Sequence, residues 1–260
     1  MFEGFTTKKE LFEYLVKNKE EHIRLKKNII KTTDSCFARC EKYIQTKGFD
    51  YTSNDDVKKG IITRAIVGNT YNWMDSHNDV HIDGTFTKSI LENKSKILHL
   101  HDHINQLVAK VGRPIDVFEQ KMNWVDLGVK MLGTTTVLIM ISEIRKDYNI
   151  AIFNQYLNSE INQHSVGMQY VKLSLAIDDN EYEEEKIVWD TYVDRIANKQ
   201  KAIDTGYFWA VQEAKLLEIS AVISGSNEIT PTLEPQKSTL NEPDSTTKVD
   251  FEYLITNFKL

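Results

Sequence analysis

GIITRAIVG (60–68), KILHLHDH (96–103), LVAKVG (107–112) and YVKLSLAI (170–177) are short runs rich in β-branched and aliphatic residues, set apart by turn residues. Each predicts a strand of a sheet or barrel. Between them, TFTKSILEN (85–93), opening just after Gly84, predicts a short helix, and YNIAIFNQYLNSEI (148–161) a longer one that ends before NQHSVGM (162–168). Strands and helices in this mixed order define an α+β fold.

Upstream, Leu11, Tyr14, Leu15, Ile23, Leu25, Ile29 and Ile30 recur among lysines and glutamates from Thr7 to about Lys31, which predicts an amphipathic helix. Thr7 and Glu10 have the spacing of a capping box. Residues 1–50 therefore form an N-terminal helical arm, which either packs on its own domain or docks on an assembly partner. Downstream, DDNEYEEE and KIVWDTYVDRIANKQ (178–200) predict a solvated helical insertion at about 180–204 inside a domain spanning 58–226. YFWAVQEAKLLEISAVI (207–223) reads as two β-rich runs. From about Ser224 the composition turns to Ser, Asn, Thr, Pro and Glu, so 227–260 is expected to be a flexible tail.

With 260 residues of which 41% are hydrophobic, one main core is expected. A net charge of -6 lacks the basic footprint of phosphate-backbone binding, which argues against nucleic acid as a partner. The opening MFEGFTTKKELFEYL has no secretory order, and no apolar run reaches the about 18 residues of a membrane helix. The expectation is a soluble, intracellular protein with no membrane partner. Cys36 and Cys40 would stand a turn apart on one helix face and bring no further zinc ligands with them, so both read as ordinary thiols.

Three segments carry candidate chemistry. If 96–103 is extended throughout, alternation puts His99, His101 and His103 on one face and Leu100 and Asp102 on the other. In NQHSVGM, Ser165 precedes Val166 and Gly167, where backbone can come close to a substrate. A serine hydroxyl needs a histidine to take its proton, and neighbouring His164 points the opposite way on an extended chain, so a remote histidine suits better. In KLLEISAVISGSN (215–227), Glu218 and Ser220 share one strand face. Glu218 could orient an imidazole there, although composition alone favours an exposed glutamate.

SHNDVHIDGTF, LHLHDH, HSVGM and LLEISAVISGSN, taken in this order, resemble the prohead protease family of tailed bacteriophages. The match spans about Gly60 to Asn227. Asp79, Gly84 and Phe86 correspond to the family's early Asp and Gly-x-Phe element, His101 and Asp102 to its His-Asp pair, Ser165 and Gly167 to its nucleophile segment, and Glu218 and Ser220 to its late strand. Two more histidines flank His101, so His103 stays an alternative base. Ser165 and Glu218 stand further apart in sequence than is usual, with the acidic insertion between them.

The resemblance implies a β-barrel surrounded by helices, similar to the herpesvirus assembly protease. It further implies a serine endopeptidase of capsid maturation with catalytic Ser165, His101 and Glu218, oxyanion stabilisation by backbone near Gly167, and no metal or cofactor. The implied substrates are scaffold protein, the scaffolding segment of the major capsid protein and the chain itself, cleaved inside assembling procapsids in the host cytoplasm, with self-association possible. Two other readings stay open. One is a non-catalytic assembly protein that keeps the fold, and the other is a metal-dependent hydrolase using His99, His101 and His103.

Overall fold

The computed structural model describes residues 4–28 and 48–235. Its strands are β1 (Ile61–Thr70), β2 (Asp79–His81), β3 (Leu98–His101), β4 (Lys110–Asn123), β5 (Thr134–Arg145), β6 (His164–Ile177), β7 (Tyr207–Ala221) and β8 (Thr232–Leu233). Its helices are α1 (Lys8–Lys17), α2 (Lys19–Asn28), α3 (Thr87–Asn93), α4 (Ile150–Leu157), α5 (Glu183–Tyr192) and α6 (Lys199–Thr205). The fold is α+β, built on one large mixed sheet.

β6 and β7 form a long antiparallel hairpin from Ile177↔Tyr207 at one end to His164↔Ala221 at the other. The opposite edge of β7 carries β2 near its start and β3 near its end, both parallel to it. β4, β5, β1 and β8 follow in antiparallel order. Among the described residues no ladder joins β6 to β8, so the sheet is open and the closed barrel implied by the resemblance does not form. The physical reason lies at the seam. β8 has only two residues, and the His164 backbone is bonded by a side chain instead of a strand: the Thr230 hydroxyl accepts from His164 N (3.1 Å) and donates to His164 O (2.7 Å).

The sheet nevertheless curls around its core. Gly68 of β1 faces the Ile219 side chain of β7, and a Cβ there would stand 2.5 Å from Ile219 Cδ1, so any larger residue at 68 forces Ile219 to shift. Ile62, Ile66, Leu138, Met140, Val166, Met168 and Ile219 fill the enclosed side, with Leu11, Phe12 and Leu15 of α1 and Phe153 and Tyr156 of α4. Burying a side chain of this size contributes roughly 1.5–3 kcal/mol. On the reverse face of the β6–β7 hairpin, Ala176, Phe208 and Ala210 pack against Trp189, Val193, Ile196 and Ala202. The insertion is therefore docked through the apolar stripe of Trp189, Val193, Ile196 and Ala202. No helix among the described residues is long and apolar enough to cross a membrane.

Several boundaries differ from the sequence reading. The residues 207–223, read as two runs, make the single strand β7 as far as Ala221. Residues 107–112 open as a tight turn at Leu107–Ala109 and become strand only from Lys110. β2 and β5 were not anticipated. The expected tail is ordered as far as Pro235, because Asn227, Thr230 and Leu233 are buried against β1 and β6. The remainder of the tail, and Cys36 and Cys40, lie outside the described residues.

The described part of the N-terminal arm, residues 4–28, packs on its own domain. Thr7 Oγ1 accepts from Glu10 N, while Glu10 reaches one residue further back, to Thr6 N. The helix expected from Thr7 to Lys31 breaks at Asn18, which caps α1. α2 buries none of its residues fully; Ile23 packs half-buried against the core, and polar contacts add to it. Lys26 pairs with the fully buried Asp79 at 2.7 Å, Tyr170 also donates to Asp79, and the Lys26 ammonium lies 5.5 Å from the Tyr170 and Trp209 ring centres. Removing the cation beside a carboxylate out of water is strongly destabilising. Lys26→Ala is expected to cost about 3 kcal/mol in urea unfolding, whereas Lys9→Ala, whose partner Glu181 is exposed, should leave the midpoint unchanged.

Candidate active site

The β6–β7 register assembles the site. Ser165 stands directly opposite Ser220, and Gly167 opposite Glu218. Directly paired residues point to the same face, and i, i+2 residues share it, so Ser165, Gly167, Glu218 and Ser220 lie on one side of the sheet. The insertion connects the far end of this hairpin. Its length therefore does not separate Ser165 from Glu218, despite their distance in sequence.

β3 delivers the histidines, and here the alternation argument fails. His99, Leu100 and His101 pair with Ile219, Ser220 and Ala221, so His101 lies on the face opposite Glu218. The strand ends at His101. Asp102 and His103 then adopt left-handed backbone (φ 52° and 54°), and the turn carries His103 over to the Glu218 side. Asp and His are among the residues that tolerate this conformation best, so the His-Asp-His sequence held a turn signal that strict alternation overlooks.

His103 Nδ1 donates to Glu218 Oε1 at 2.5 Å. Ser220 fastens both partners, since its hydroxyl donates to Glu218 Oε2 (2.7 Å) and accepts from the His103 backbone N–H (3.1 Å). Glu218 is only 8% exposed, which overturns the exposed-strand reading of this residue. With Nδ1 protonated against the carboxylate, Nε2 of His103 carries the lone pair. It is buried and has no hydrogen-bond partner among the described residues. Ser165 lies on the same face and is itself buried. His103 Nε2 and Ser165 share a sheet face without a hydrogen bond between them, and a carboxylate-oriented imidazole on the face of a serine is the arrangement from which proton transfer is assembled when the two close to hydrogen-bond distance.

The other candidates occupy different places. His101 Nδ1 pairs with Asp102 Oδ2 at 2.9 Å, and Asp102 is largely exposed. Glu218 thus orients His103, and the expectation that it would hold His101 is corrected. Gly167 supplies room: a Cβ there would stand 2.6 Å from Glu218 Cδ and closer still to Oε1. Asp79 anchors α2, Gly84 makes the left-handed turn before α3, and Phe86 belongs to the core. Neither Asp79 nor Phe86 reaches the Ser165 face. The three histidines of 99–103 do not converge, and among the described residues no cluster of three or more His, Cys, Asp or Glu is arranged to hold a metal.

Behind the site, on the core face, His99 and His164 are fully buried. Burial, and then the neighbouring His164, lowers the His99 pKa to about 3. Burial also lowers that of His164 to about 4, against the opposing bond to the Thr230 backbone. Both folded values lie below the usual 6.5, so the unfolded chain binds protons first as the pH falls. Stability is full above about pH 6.5 and is lost as the pH drops toward 4 and then 3. Urea midpoints at pH 7.5 and 4.5 should show this loss, and a His164→Gln chain that still folds should show less of it.

No protein-family model matches this chain, and no curated protein or solved structure matches it either. The chemical reading therefore rests on the residues themselves.

Proposed function

We propose that the chain is a serine endopeptidase of the tailed-phage capsid-maturation type, with Ser165 as nucleophile, His103 as general base and Glu218 as the group that orients it. The observation that carries this reading is the buried Nε2 of His103, unpartnered among the described residues and held by Glu218 on the face that bears Ser165. His103 takes the Ser165 proton as its oxygen attacks the scissile carbonyl, and returns that proton to the leaving amine as the acyl-enzyme forms. Glu218 stabilises the imidazolium of the intermediate. The resemblance assigns the oxyanion to backbone N–H groups near Gly167.

The ordered sequence elements support the same family, and a sheet curled around one core is compatible with a herpesvirus-protease-like barrel opened along a single seam. On this reading the substrates are scaffold protein, the scaffolding segment of the major capsid protein and the chain itself, within assembling procapsids in the host cytoplasm. The test is co-expression of the wild type or Ser165→Ala with the major capsid and scaffold proteins of its virus, with new termini read by intact mass. Cleavage by the wild type alone is expected. Cleavage that survives Ser165→Ala overturns the proposal, and absence of cleavage by either moves the reading to a non-catalytic assembly protein.

A further inference from the structure

The core face directly behind Ser165 holds a continuous chain of polar side chains. Ser142 Oγ lies 2.8 Å from His99 Nδ1, His99 Nε2 lies 3.2 Å from the Tyr156 hydroxyl, and that hydroxyl lies 2.8 Å from His164 Nε2. His164 Nδ1 lies 2.8 Å from the carbonyl oxygen of Thr230. All five residues are buried, the largest exposure being 1% at Tyr156.

One acceptor fixes every proton in this chain. A carbonyl oxygen can only accept, so His164 carries its proton on Nδ1, and its Nε2 is an acceptor. Tyr156 must then donate to His164 Nε2, which leaves its oxygen to accept from His99 Nε2–H. His99 Nδ1 is in turn an acceptor, and Ser142 donates to it. The sequence runs Ser142 to His99 to Tyr156 to His164 to Thr230 with no donor facing a donor, and each imidazole is neutral with a defined tautomer. Low exposure on every side makes an error at any link costly.

The chain also ties together the elements that form the site. His99 sits on β3, whose end delivers His103, and His164 is the residue before Ser165 on β6. Ser142 belongs to β5, Tyr156 to α4, and Thr230 grips the backbone N and O of His164 from the seam. We propose that His164 is a positioning residue: through Tyr156, His99 and Ser142 it sets, from behind the sheet, the register and orientation of the segments that carry Ser165 and His103. This inference rests on reading Ser165 and His103 as the reacting pair. It gives a role to the two histidines that the transfer step leaves unused.

The test combines a spectroscopic signature with a rate. In the full chain labelled with ¹⁵N-histidine, the tautomer pattern at neutral pH should show Nδ1–H on His164 and Nε2–H on His99. Tyr156→Phe keeps the ring and removes both central bonds. With a fluorophosphonate probe, the maximal rate of Ser165 modification in Tyr156→Phe should fall about ten- to a hundredfold with half-saturation unchanged, since small misplacements of reacting groups cost rates of this order. The opposite tautomer on His164, or wild-type modification by Tyr156→Phe, overturns the proposal. A wild-type chain inert to the probe instead removes the protease reading, and the positioning role with it, while the tautomer pattern still reports separately whether the hydrogen-bond chain exists.

Discussion

Capsid-protein cleavage by His103→Ala is expected to fall by about 10⁴-fold, while His101→Ala stays within a few-fold of the wild type. The first figure is the usual cost of losing a working member of a Ser-His-acid triad. The contrast is the informative part, because the sequence elements favour His101 and the geometry favours His103. His103 Nδ1 is engaged by Glu218, and its buried Nε2 has no hydrogen-bond partner among the described residues. His101 pairs with the exposed Asp102 and sits on the Ala221 side of the ladder, across the sheet from Ser165. Single-turnover cleavage by the two variants, each shown to be folded by circular dichroism, separates the assignments. A severe loss in His101→Ala with His103→Ala unaffected would reverse them.

Gly167→Ala carries the second large effect. The added methyl overlaps the Glu218 carboxylate, which must leave His103 or push β6 and β7 apart. Overpacking of this kind costs about 1–3 kcal/mol of stability. Loss of the orienting carboxylate leaves the imidazole free to take the wrong tautomer, so cleavage should fall by about 10³-fold or more. Glu218→Gln should produce a comparable rate loss without the steric cost. If Gly167 acts by leaving room for Glu218, adding Gly167→Ala to Glu218→Gln changes the rate little further, because both remove the same interaction. Fully multiplicative losses in the double variant would assign Gly167 a separate role.

Much of this was legible in the chain. The mixed strand and helix order, the short helix at Thr87–Asn93 and the 170–177 part of β6 follow from periodicity and turn residues, and Glu218 and Ser220 share a face as their i, i+2 spacing requires. Three features were not legible, each for a local reason. The left-handed pair Asp102 and His103 breaks a two-residue period that would otherwise keep all three histidines together. The insertion at about 180–204 makes Ser165 and Glu218 look remote, because sequence distance does not reveal that it joins the far end of a hairpin. The seam is bridged by side chains bonding backbone across the gap, those of Thr230, Thr232, Asn162 and Gln163, and nothing in the composition around Thr230 distinguishes it from a flexible tail.

The central claim, that Ser165 is activated by His103, is tested most directly by treating the purified full-length chain with a fluorophosphonate probe and locating the adduct by peptide mapping. One adduct on Ser165 is expected, retained in His101→Ala and absent from His103→Ala. A folded wild-type chain without an adduct at Ser165, or an adduct that depends on His101 and persists without His103, would contradict the account.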